Sequence, residues 1–119
     1  MPKVSVIIPT RNHEKFIKAC IESILNQTFQ DFEIVITDDA SQDQTVEIIK
    51  GFREPRLQLF QLSEAMGVSV ATNNCIKRSS GRYLAWMGPD SLWAPTKLEI
   101  QVRYLDEHPT TGAVFGKGD

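Results

Sequence analysis

Residues 32–39 read FEIVITDD, an unbroken apolar and β-branched run that stops on two adjacent acids, Asp38 and Asp39. The run is too short for a helix and too apolar for a surface strand, so it reads as a strand buried on both faces. VSVIIP from Val4, RYLAWM from Arg82 and GAVFG from Gly112 also read as strands, and RLQLFQL from Arg56 reads as one by alternation, with Leu57 and Leu59 inward. Segments of helical spacing lie between them. Phe16, Ile17, Cys20, Ile21, Ile24 and Leu25 mark the first helix, with Asn12 as a candidate cap. Val46, Ile49 and Phe52 mark the second, entered through a Ser41–Gln44 capping box with Asp43 as a competing cap. Val68, Ala71, Cys75 and Ile76 mark the third, closed by Gly81 as a C′ residue. Leu98, Val102 and Leu105 mark the fourth, with Pro95 in its first turn and His108-Pro109 at its end.

The order β-α-β-α-β-α-β-α-β argues for an α/β fold, a mostly parallel sheet with helices on both faces. The chain has 119 residues, enough for one domain with a real core. A net charge of −2 and scattered basic residues give no reason to expect nucleic acid. Two distant cysteines, Cys20 and Cys75, form no CxxC and fall on apolar helix faces, so buried free thiols are expected. That suits a reducing compartment, and no signal-peptide or membrane-spanning pattern is seen, so a cytoplasmic location is expected. No GxGxxG, GxxxxGK[ST] or GxSxG motif is present.

Ligands of open α/β sheets bind beyond the carboxyl ends of the strands. Pro9, Thr10, Arg11 and Asn12 follow the first strand, Asp38, Asp39 and Ser41 the second, Ser63, Glu64 and Gly67 the third, and Asp90 and Ser91 the fourth. Either member of the Asp38-Asp39 pair can serve as a helix cap. Two like charges side by side also call for a cation or hydrogen-bond donors nearby. Asp90, in Gly88-Pro89-Asp90, is turn chemistry or a metal ligand. Mg²⁺ or Mn²⁺ on a nucleoside diphosphate needs only one or two protein carboxylates. His13 reads as a solvated residue of a first helical turn, and Trp86 and Trp93 as core or pocket wall. A receiver-type phosphoacceptor domain would carry its acid pair after the first strand, where Pro9 and Thr10 stand here.

The stretches VSVIIPTRN (4–12), SILNQTFQDFEIVITDDASQDQT (23–45), GVSVATNNCIKRSSGRYLAWMGPDSLWAPTKLEIQV (67–102) and HPTTGAVFG (108–116) together resemble family 2 glycosyltransferases of the GT-A fold. The resemblance implies an inverting enzyme that moves a sugar from a nucleotide-diphosphate sugar, most often a UDP-sugar, to an acceptor hydroxyl. Pro9, Thr10 and Asn12 match its first nucleotide-binding loop, with Arg11 where an aromatic is common. Asp39 matches the acid that meets the nucleobase and Asp38 its neighbour. Asp43 matches the acid that opens the next helix, and Asp90 matches the last acid of the DxD-type motif, which meets the metal. Gly88 and Ser91 stand where further acids are common, and Thr72 where an Arg is common, which weakens the expected grip on Mg²⁺ or Mn²⁺ and the diphosphate.

The family's catalytic base is an Asp or Glu in the acceptor-binding half. No residue here matches it, Asp119 included, so it is expected beyond residue 119 and the catalytic residue is unassigned. Residues 1–119 thus read as the nucleotide-sugar-binding part of a GT-A domain, without its acceptor-binding half. The alternative is a non-catalytic GT-A-like nucleotide-binding or assembly module. By the same resemblance, the partners of the whole enzyme are the donor, a saccharide or lipid acceptor and a second copy in a homodimer, with work at the inner membrane face.

Overall fold

A computed structural model describes residues 2–108, so the expected strand at 112–116 and Pro109 lie outside the described residues. The elements run β1 (Val4–Thr10), α1 (Ile17–Leu25), β2 (Phe32–Asp38), α2 (Thr45–Lys50), β3 (Leu57–Gln61), α3 (Val68–Arg78), β4 (Tyr83–Trp86) and α4 (Lys97–Glu107). The described strands form one sheet in the order β3-β2-β1-β4. Every pairing is parallel, with Val4 beside Phe32 and Tyr83, and Ile34 beside Leu57. The alternation expected from sequence is therefore observed as far as α4, and β1 and β2 are buried along their whole length.

The pleat sorts side chains between two layers. Val4, Val6 and Ile8 of β1 and Phe32, Ile34 and Ile36 of β2 join the main core, with Ile17, Ile21 and Ile24 of α1, Ile49 of α2 and Leu98, Val102 and Leu105 of α4. Each fully buried Ile or Leu contributes about 2 kcal/mol through removal from water. The opposite face carries Ile7 and Val35, with Cys75 of α3 packed on them.

Several helix expectations change in detail. Phe16 precedes α1 and is half exposed, and Val68 and Ile76 point outward from α3. Only Ala71 and Cys75 of α3 are buried, because among the described residues α3 alone of the helices packs on this face and the apolar stripe it needs is narrow. Gly81 does not close α3, whose cap is Ser79 in an extended conformation. It is a close-approach glycine instead: a Cβ there would meet the Ser5 nitrogen at 2.6 Å and the Val4 carbonyl carbon at 2.7 Å. Cys20 and Cys75 are buried free thiols, as expected. Among the described residues no helix is long and apolar enough to cross a membrane.

Candidate functional site

The carboxyl end of β1 sets the site's first wall. Thr10 is buried and Arg11 is exposed. Asn12 then adopts a left-handed backbone (φ 56°), which Asn tolerates better than most residues. Its N–H donates to Ser41 Oγ (2.9 Å), and its Oδ1 accepts from Gln42 N–H (2.8 Å). Asn12 therefore ties the β1 exit to the β2 exit rather than capping α1. His13 continues the link by donating its N–H to Thr45 Oγ1 (2.9 Å). Its ring Nδ1 accepts the N–H of Arg11 (3.2 Å), which leaves the ring proton on Nε2.

The expected Ser41–Gln44 capping box does not form. Gln44 holds the cap position of α2 with no side-chain bond, while Asp43 Oδ1 takes the N–H and hydroxyl of Thr45. Partial burial pushes the Asp43 carboxyl up, but the bonds from Thr45 and from the Glu14 N–H outweigh it and hold it below the usual range. Ser41 is engaged elsewhere: its N–H and hydroxyl both go to Asp38.

The neighbouring acids part company at the end of β2. Asp38 pairs with Thr10 in the sheet register and points to the side of Ser41 and Asp43. Asp39 points to the opposite side, where α3 lies. Its Oδ1 accepts from Met66 N–H (2.7 Å) and its Oδ2 from Gly67 N–H (2.9 Å). Each buried carboxylate thus has its own donors, which answers the repulsion expected between them. Gly67 has φ 99°, a conformation that an L side chain rarely adopts, and no atom lies within 4 Å of the Cβ it lacks. Glycine is needed there to turn two successive amides toward Asp39.

These pieces enclose an open cavity of about 390 Å³ lined by Pro9, Thr10, Arg11, His13, Asp39, Gly67, Val68, Ala71, Trp86 and Pro89. Of the expected nucleotide contacts, Pro9, Thr10 and Asp39 line it. Asn12 and Asp38 do not; they brace the loops around it. Ser63 and Glu64 are exposed and do not line it. Trp86 is pocket wall, whereas Trp93 is core. His13, read from sequence as a solvated residue, lines the cavity, and only its position just past a strand end hinted at that.

Asp90 follows β4 in a turn closed by Ser91 N–H to the Gly88 carbonyl (3.0 Å). It is exposed, does not line the cavity, and its carboxylate accepts no hydrogen bond among the described residues. Beneath the turn, Cys20 donates its S–H to the Gly88 carbonyl (3.6 Å). Burial and then the Asp90 charge push that thiol up to about 12. Among the described residues no three His, Cys, Asp or Glu gather into a metal-binding group. A free carboxylate such as Asp90 still suits a cation whose remaining oxygens come from phosphate and water.

A carboxylate at the other end of the sheet carries no site chemistry. Glu33 is buried on β2, where its Oε2 accepts from Ser5 Oγ (2.5 Å), Ser80 N–H (2.7 Å) and Ser80 Oγ (3.1 Å). Its Oε1 accepts from Gln58 Nε2 (3.1 Å). Burial raises its pKa, yet these bonds prevail and hold it below the ordinary value.

Comparison with known proteins gives the site its context. A family model described as "Glycosyl transferase family 2" matches residues 5–117. The E. coli UDP-Glc:alpha-D-GlcNAc-diphosphoundecaprenol beta-1,3-glucosyltransferase WfgD is 37% identical over 102 residues, covering 86% of this chain and 40% of WfgD. The crystal structure of S. aureus TarS in complex with UDP superposes with a TM-score of 0.85 at 32% identity, covering 90% of this chain and 33% of that one. The Pyrobaculum calidifontis mannosyltransferase PcManGT, in complex with GDP-Man and Mn²⁺, gives 0.81 at 28% identity over 87% of this chain and 32% of that one. The chain thus spans less than half the length of these relatives. Its sheet and helices have the GT-A fold of such sugar-transferring enzymes. With a sequence match that runs over nearly all its residues and a ligand-sized cavity at the strand ends, the chain belongs to glycosyl transferase family 2.

Proposed function

We propose that residues 1–119 form the donor-binding part of an inverting glycosyltransferase that takes a UDP-sugar. The observation that carries this reading is the cavity of about 390 Å³ with a buried carboxylate, Asp39, on its wall. Each Asp39 oxygen holds one backbone N–H and keeps a further lone pair for a base N–H. Thr10 and Pro9 add the wall beside it, and Asn12 and Asp38 hold the two exit loops in register.

Asp90 is the residue we assign to Mg²⁺ or Mn²⁺ on the diphosphate. When bound, such an ion supplies Lewis acidity that stabilises charge on the departing phosphate. The catalytic base is assigned beyond residue 119, because no residue here matches the acid that the family resemblance calls for. The acceptor, a saccharide or lipid-linked sugar, is expected to meet the rest of the enzyme at the inner membrane face.

Calorimetric titration with UDP and Mn²⁺ tests the reading. Wild-type protein should give saturable heat, and Asp39→Asn, with its fold verified by circular dichroism, should bind roughly tenfold or more weakly. Sugar transfer by the 119 residues alone would overturn the assignment of the base. The bare Gly88 beside Asp90 favours a second reading, a non-catalytic assembly module, and the absence of heat with any nucleotide would support that one.

A further inference from the structure

We infer that Gln27, just past α1, is a positioning residue for the metal side of the site: it clamps the irregular segment after β4 and so fixes where Asp90 stands. The inference rests on the assignment of Asp90 to the metal and adds to it the residue that holds Asp90 in place.

Asp90 has little support of its own. Its carboxylate accepts no hydrogen bond among the described residues, and residues 87–96 form neither helix nor strand. β4, which leads into them, is the outermost described strand on its side of the sheet. The support comes from α1 and its exit. Gln27 is 2% exposed, and its amide is fully engaged. Its Nε2 donates to the Ala94 carbonyl (2.8 Å) and the Ser23 carbonyl (3.1 Å), and its Oε1 accepts the Leu98 N–H (3.0 Å). Beside it, Ser23 Oγ accepts the Trp93 N–H (3.2 Å), and the Thr28 N–H donates to the Pro95 carbonyl (2.8 Å). Upstream, the Met87 N–H is held by the Ile7 carbonyl (2.9 Å) and the Gly88 carbonyl by Cys20. The turn at 89–92, with Asp90 in it, is thus anchored on both sides.

Packing alone does not call for glutamine at this place. A buried amide is costly unless its donors and acceptor are bonded, so an apolar side chain would fill the same space at less risk. What the amide adds is a bridge from the end of α1 to backbone 67 residues further along the chain. It also satisfies a donor in the first turn of α4, whose cap residue Thr96 makes no side-chain bond. Gly88 and Ser91 beside Asp90 carry no charge, so a single carboxylate has to meet the cation from a fixed place.

The test is calorimetric titration of UDP, with Mn²⁺ and with EDTA, and of uridine, against wild type, Gln27→Met, Ser23→Ala and Glu33→Gln. Wild type should bind UDP more tightly with Mn²⁺ than with EDTA. Gln27→Met keeps the length of the side chain and loses the amide. It should lose roughly tenfold in Mn²⁺-dependent affinity, while uridine and UDP in EDTA bind as to wild type. Ser23→Ala removes the Trp93 link alone and should lose a smaller factor. Glu33→Gln, weakened at the other end of the sheet, should keep the whole Mn²⁺ gain, which separates positioning from loss of stability. An undiminished Mn²⁺ gain in Gln27→Met, or in Ser23→Ala if Gln27→Met does not fold, would overturn the inference and leave Asp90 as the metal contact. Equal weakening of uridine in Gln27→Met, or loss of the gain in Glu33→Gln, would overturn it as well. Wild type that binds UDP equally with Mn²⁺ and EDTA would overturn both the Asp90 assignment and the inference, with the nucleotide reading left standing. Wild type that binds no UDP would overturn all three.

Discussion

Removing the Glu33 carboxylate should destabilise the fold strongly while leaving the candidate site untouched. Three donors converge on its Oε2: the Ser5 hydroxyl, the Ser80 N–H and the Ser80 hydroxyl. Hydrogen bonds to a charged group contribute about 1.5 kcal/mol each at the low end, so Glu33→Ala should cost about 3–5 kcal/mol. Glu33→Gln keeps one acceptor oxygen and loses the charge, and should cost about 1–2 kcal/mol. A domain of this size loses roughly 4 °C of melting temperature per kcal/mol, so the alanine variant should melt about 12–20 °C lower. Thermal unfolding followed by circular dichroism measures it.

The pH dependence gives an independent check. The folded carboxyl titrates below its unfolded value, so its stabilisation is complete above the unfolded pKa, about 4.3, and is lost as pH falls through the lower folded value. The gap between wild type and Glu33→Ala should therefore be constant from pH 7 to 5 and narrow below about pH 4. A Glu33→Ala protein that melts within 2–3 °C of wild type at pH 7, by about the same conversion, would refute the reasoning.

Gly81→Ala should destabilise by about 2–4 kcal/mol in urea titration, because the new methyl meets backbone atoms at 2.6 and 2.7 Å that cannot swing away. Gly88→Asp should be tolerated, since the nearest obstacle to its Cβ is the Ser91 hydroxyl at 3.0 Å, which can rotate. The added acid beside Asp90 should strengthen Mn²⁺-dependent UDP binding in calorimetry, and no gain would count against Asp90 as the metal contact. Cys20, with its thiol pushed up to about 12 by burial and Asp90, should resist thiol reagents at pH 8 in the native protein and react once denatured. Cys75, raised by its own burial, should behave alike.

The strands and helices were legible because each relies on local information: run length, β-branching and helical spacing. What local pattern cannot supply is which face a residue takes at a strand end. Asp38 and Asp39 are neighbours in sequence, and the pleat sends them to opposite sides of the sheet, one to bind Ser41 and one to bind the loop before α3. Ser41 fits a capping box by spacing, but its hydroxyl goes to Asp38, and Asp43 takes the Thr45 N–H at the start of α2. Gly81 fits a helix stop, and its real constraint comes from Val4 and Ser5, more than seventy residues away in sequence. Glu33 was hidden for the same reason: inside FEIVIT it is one charge in an apolar run, and its partners come from β1, β3 and the turn after α3. Asn12 reads as a cap until its left-handed backbone turns its side chain toward Gln42.

The strand order has a consequence for how the protein acquires its shape. β1 is the earliest described strand to leave the ribosome, yet it sits inside the sheet, with β2 on one side and β4 on the other. Its second partner is separated from it by the whole of α1, β2, α2, β3 and α3. Parallel pairing over such a span closes a large loop before any contact offsets the lost entropy, which makes it a slow step. Until β4 arrives, the outer edge of β1 is an unpaired apolar template open to other nascent chains. The cavity wall that needs Trp86 and Pro89 is accordingly among the last parts of these residues to form.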